Sequence, residues 1–129
     1  MTSVQTEVAG AMRISVVHVA DDVERTGELY RSLGFSAVPQ DDSDCAGWLS
    51  DDGSGVIVTA TAMIARTFGA DVAGELSGKS IPYIYVLDLN AARAGIGDAA
   101  AVCEYVYGNV TEILIRMPGS TFILAATAR

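Results

Sequence analysis

Positive charge is scarce in this chain: 129 residues hold 8 Lys plus Arg and one His against 16 Asp plus Glu, for a formal net charge of −8. Nucleic acids and anionic membranes both need a basic patch to displace their counterions, so the acidic balance argues against either as a partner. The same field favours a cationic ligand. Long hydrophobic runs are missing too, since Asp, Arg or Gly breaks every apolar stretch short of the ~18 residues a membrane-spanning helix requires. The opening segment Met1–Met12 lacks the basic start and apolar core of a secretory signal, which places the protein in the cytoplasm. Cysteine is limited to Cys45 and Cys103, and without export these read as two free thiols.

What is present is a folding composition. Hydrophobic residues make up 50% of the chain and charged residues 19%, and a chain of this size can bury roughly two-thirds of its unfolded surface without a staple. After an N-terminal extension over 1–12, the segment RISVVHVADD from Arg13 reads as a strand. VERTGELYRSLGF follows at helical spacing, with Asp22 as N-cap, Glu24 in the first turn and Gly34 as the stop. A short strand to Pro39 and a polar turn over Asp41–Asp44 come next, then CAGWLSDDGSG and VIVTAT, which form a hairpin turning at Asp52-Gly53. Residues 63–80, with Gly69, Gly74 and Gly78, read as a linker holding at most one helical turn. IPYIYVLDL is a further strand and NAARAGIGDAAAV a helix capped by Asn90; alternation at Tyr105/Tyr107, Ile113/Ile115 and Phe122/Leu124 predicts three closing strands.

The chain repeats itself. A shift of 67 places Ile14, Val17, Val19 and Asp21 on Ile81, Ile84, Val86 and Asp88, and a shift of 66 places Asp52–Thr61 on Pro118–Thr127. The reading is one domain over 13–129, with module one at 13–62, the linker at 63–80 and module two at 81–129, each module a strand, a helix and three strands.

With Asp22–Phe35 ending in Leu33-Gly34-Phe35, then Val86–Leu89, Tyr107-Gly108 and Met117-Pro118-Gly119-Ser120, the chain resembles the vicinal oxygen chelate superfamily. That superfamily holds the glyoxalases, extradiol dioxygenases and bleomycin-resistance proteins. The resemblance implies an α+β fold of two βαβββ modules, a U-shaped open sheet around a cleft, and a homodimer. It also locates the metal ligands of the enzymatic members, which here fall on Ser15, Ile57, Ile81 and Ile123. One hydroxyl and three isoleucines are a poor donor set for a divalent ion, so neither metal nor other cofactor is expected.

His18 has two readings. Counted from Asp22 it faces the helix as a packing residue; counted from Asp21 it shares the cleft with Ile14 and Val16, where it would bind a ligand or shuttle a proton. The cleft candidates are otherwise aromatic and apolar. Tyr83 and Tyr85 share parity with Ile81, Trp48, Tyr105 and Tyr107 lie on expected wall strands, and Met63 and Phe68 lie in the linker, all suited to a flat aromatic or polycyclic ligand. Neither cysteine has a neighbour that would stabilise a thiolate. Glu104 and Glu112 fit a solvated edge better than a general base.

The sequence thus leads to a metal-free protein of the bleomycin-resistance kind, more a binder than an enzyme, that sequesters an antibiotic or aromatic natural product and confers resistance. The alternative is a metal-independent isomerase, cyclase or lyase using His18, Glu104, Glu112 or a tyrosine; a regulatory partner domain is a third. One Lys beside seven Arg in an Ala-rich chain points to a high-GC bacterial source.

Overall fold

A computed structural model describes residues 11–39, 44–97 and 101–127. The extension over 1–10, the polar turn at 41–43 and the predicted helix end at 98–100 lie outside the described residues. The chain divides into two compact units, a first of Ser15–Ile81 and a second of Pro82–Arg129 with Met1–Ile14.

The first unit runs β1 (Ala11–Ala20), α1 (Val23–Ser32), β2 (Ser36–Val38), β3 (Cys45–Leu49) and β4 (Gly55–Ala60). β2, β3 and β4 are antiparallel neighbours, and β4 closes in parallel on β1 with His18 opposite Val58. Asp22 caps α1 by accepting from the Arg25 amide at 3.0 Å, and Gly34 beyond its end takes a φ of 99°, a conformation open to glycine at little cost. The β3–β4 turn is held by Asp52, which accepts from the Ser50 hydroxyl and from the Ser54 amide and hydroxyl. These bonds, that from Ser50 foremost, pull its carboxyl down to about 2.

α1 covers one face of this sheet. Ala20, Trp48, Val56 and Val58 are buried there, with Val23, Tyr30 and Phe35 against them. Gly27 is the close-approach point: a Cβ on it would lie 2.7 Å from Trp48 Cζ2, so the indole sits where any larger helix residue would stand.

The expected linker is instead two helices, α2 (Thr61–Phe68) and α3 (Ala70–Leu76), buried through Ile64, Phe68, Val72, Ala73 and Leu76. Gly69, at φ 103°, breaks one from the other. Neither has a side-chain N-cap, so the sequence carries no start signal for them. After α3 the chain returns to β1, the Gly78 amide donating to Val19 O at 2.8 Å and the Val19 amide to Lys79 O at 2.9 Å.

The second unit repeats the plan with β5 (Ser80–Val86), α4 (Leu89–Ile96), β6 (Ala101–Tyr107), β7 (Val110–Met117) and β8 (Ser120–Thr127). β6, β7 and β8 are antiparallel neighbours, and β8 pairs in parallel with β5, Ile84 opposite Leu124. The predicted Asn90 cap is replaced by Asp88, which accepts from the Ala91 amide at 3.0 Å. Asp22 and Asp88 are therefore equivalent caps 66 residues apart, and the pairs His18–Val58 and Ile84–Leu124 keep the same offset. The offset of 67 for the first strands was one residue too long, and a one-residue slip exchanges the faces of a strand.

Val86, Ile113, Ile115, Leu124 and Ala126 form the core beneath α4. α4 buries none of its own residues, and a cavity of about 570 Å³, lined by Leu89, Arg93, Glu104 and Ile113 among others, opens beside it. Among the described residues no helix is long and apolar enough to cross a membrane.

Candidate functional site

In each unit the strands have a face covered by the unit's helix and a far face. In the first unit the register settles the orientation of His18. It sits opposite Val58 on the α1 side, where Nδ1 lies 2.8 Å from the Tyr30 hydroxyl and the two rings meet edge to face. That is the packing reading, and it corrects the placement of His18 among cleft residues. Trp48 shares this side, buried beneath α1 with the Arg31 guanidinium 5.2 Å from its ring centre. Its indole N–H is buried without a hydrogen-bond partner among the described residues. It is a core residue, displaced from the expected cleft wall by the parity of β3. Phe68 is buried in α2, and Met63 is half-buried one turn before it. Cys45 is half-buried on the far face, its Sγ 3.9 Å from the Thr59 hydroxyl.

The far face of the second unit gathers the other candidates. Alternation along β5 turns Ile84 and Val86 to the α4 core and Tyr83 and Tyr85 away from it. Tyr83 is buried and donates its hydroxyl to Glu112 Oε2 on β7. Tyr85 meets Tyr83 edge to face, ring centres 5.1 Å apart, and carries the Arg13 guanidinium 4.2 Å from its own ring centre. Tyr105 stands directly opposite Glu112 in the β6–β7 ladder and so shares this face. Tyr107 ends β6, and its side chain lies outside the described residues, as does that of Cys103.

Glu112 is thus no solvated edge residue. Burial pushes its carboxyl above the ordinary 4.5, partly offset by the Tyr83 hydrogen bond, which favours the anion. Tyr83 is driven upward as well, by burial first and then by the neighbouring carboxylate, so it remains a neutral donor. Sequence alternation had favoured a solvated edge for Glu112; the Tyr83 contact spans 29 residues and has no local signature. Glu104, one parity step away, turns to the α4 side and pairs with Arg93 at 3.1 Å. Arg13, absent from the sequence-derived candidates, joins the site because β1 begins in this unit.

The positions that would hold the metal of the enzymatic proteins of this fold do not fit one. Ser15 and Ile57 share the far face of the first unit and Ile123 that of the second, opposite Tyr83, while Ile81 has the parity of Tyr83. Three of these side chains carry no donor atom, and the nearby carboxylate of Glu112 is engaged by a tyrosine.

Two βαβββ units with a parallel closing strand in each define an α+β class. Neither a family model nor a curated protein matches the sequence, but solved structures do. A glyoxalase/bleomycin resistance protein/dioxygenase superfamily member from Vibrio splendidus 12B01 matches at a TM-score of 0.61 and 13% identity, over 88% of this chain and 97% of that one. Methylmalonyl-CoA epimerase from Mycobacterium tuberculosis matches at 0.58 and 14%, over 100% and 94%. A structure described as an NAD-dependent benzaldehyde dehydrogenase from Legionella pneumophila matches at 0.68 and 9%, over 89% and 99%. Identities this low are a likeness of fold: the chain has the glyoxalase/bleomycin-resistance fold, a scaffold that serves binding proteins and enzymes alike.

Proposed function

We propose that the protein binds a small aromatic molecule on the far face of its second unit, without a metal, and protects its cell by sequestering that compound. The observation that carries this reading is the group of Tyr83, Tyr85 and Tyr105 around one half-buried carboxylate, flat apolar surface with a few fixed polar atoms. Stacking on Tyr85 and Tyr105 would hold the plane of the ligand, and the Tyr83–Glu112 pair would orient its polar edge. A homodimer in a bacterial cytoplasm, with a polycyclic natural product as ligand, belongs to the same proposal. Calorimetric titration with a panel of aromatic natural products tests it: saturable binding that Tyr85→Ala weakens is the expected result. A panel without saturable binding overturns it.

Glu112 favours a second reading, acid–base chemistry without a metal. A carboxyl held above its usual range by burial and positioned by a tyrosine is equipped to take and return a proton. Ligands found by titration, incubated with the protein in heavy water, would then exchange a carbon-bound proton for deuterium by NMR. Glu112→Gln would abolish the exchange and leave binding in place. No exchange with any bound ligand removes this reading.

A further inference from the structure

The far face of the second unit already holds a cation over an aromatic ring. Arg13 is exposed and, among the described residues, forms no ion pair; its guanidinium rests on Tyr85. On the same face, two strands across from Tyr85, is Glu112, half-buried, with Oε2 taken by Tyr83 and Oε1 receiving no hydrogen bond among the described residues. A carboxylate has room for several donors on its two oxygens, so Oε1 can accept one from a ligand.

We propose that this face selects aromatic cations, the ligand ring displacing Arg13 from Tyr85 while its cationic N–H donates to Oε1 of Glu112. The inference rests on the binding reading above and narrows its ligand to one class. An anion would meet the carboxylate with like charge. A neutral ring would gain the stacking but leave Glu112 desolvated without a counter-charge, whereas an aromatic cation supplies both a plane and a charge-assisted hydrogen bond. The burial that raises the Glu112 carboxyl is what a bound cation relieves. Arg13 is in this view an internal stand-in for the ligand, held by one half of the site and out of contact with the other.

Fluorescence titration of the full chain near neutral pH with 9-aminoacridine, a cation, and with acridine, its neutral counterpart, is the test. The expected result is at least about tenfold tighter binding of 9-aminoacridine, a preference that Glu112→Gln removes while acridine binds as before. Arg13→Ala should tighten 9-aminoacridine severalfold by removing its competitor, and a loss of affinity there contradicts displacement. Equal affinities for the two probes, or a preference that survives Glu112→Gln, overturns the inference and leaves aromatic binding standing. Failure of both probes to bind counts against the binding reading itself. The two titrations of the unmodified protein already decide between these outcomes, so the test does not depend on a variant folding.

Discussion

The two units share a plan and spend their side chains differently. In the first, the helix side carries the large residues: Trp48 fills the space over Gly27, His18 bonds Tyr30, and Tyr30 meets Phe35 edge to face. In the second, α4 packs only half-buried Leu89, Ala92 and Ile96 against the core and leaves a cavity beside it, while the aromatic rings sit on the far face with Glu112. Of two copies of one motif, one has put its aromatics into packing beneath its helix and the other onto the far face around a carboxylate. Stability should therefore be concentrated around α1, and ligand chemistry on β5 and β7.

Breaking the first unit should cost most. Trp48→Ala is expected to destabilise by about 3–5 kcal/mol through a cavity beneath α1, measured by urea unfolding. Trp48→Phe should cost far less, because it keeps most of the ring volume and removes an indole N–H buried without a partner among the described residues. Gly27→Ala comes next, at about 1–3 kcal/mol, since its methyl would drive into the ring of a buried Trp48.

A smaller effect separates the units by pH. The folded chain holds the Glu112 proton to higher pH than the unfolded chain does, so the stability from this group is full below the ordinary 4.5 and is lost as pH rises through its raised folded value. Glu112→Gln should flatten that decline, read from unfolding midpoints between about pH 4 and about pH 8. The smallest expected effect has the opposite sign to Gly27→Ala. Gly95→Ala in α4 meets nothing within 4 Å and should be neutral or stabilising by up to about 1 kcal/mol. If both glycine variants cost the same, the contrast between the helices fails.

Local signals carried much of the fold. Asp22, Gly34 and the Asp52-Gly53 turn act through neighbours a few residues away, and alternation was enough to place β6, β7 and β8. α2 and α3 were hidden because they are short, uncapped and divided by Gly69, features that read as a linker until tertiary burial of Ile64 and Phe68 overrides them. The site was legible in part. Parity turned Tyr83 and Tyr85 to one face, and the register of β7 added Glu112, but the Tyr83–Glu112 hydrogen bond and Arg13 over Tyr85 depend on strands far apart in the chain. His18 stood between two registers that one residue exchanges, and Trp48 was counted with the cleft walls from its strand alone, with no face assigned to it.

The central claim is that ligand recognition belongs to the far face of the second unit. Titration of isotope-labelled protein with 9-aminoacridine, followed by backbone amide NMR, tests it most directly. Shifts concentrated at Arg13, Tyr83, Tyr85, Tyr105 and Glu112, with Gly27, Trp48 and His18 unmoved, are the predicted result. Shifts centred on α1 and Trp48, with the β5–β7 residues silent, would contradict it.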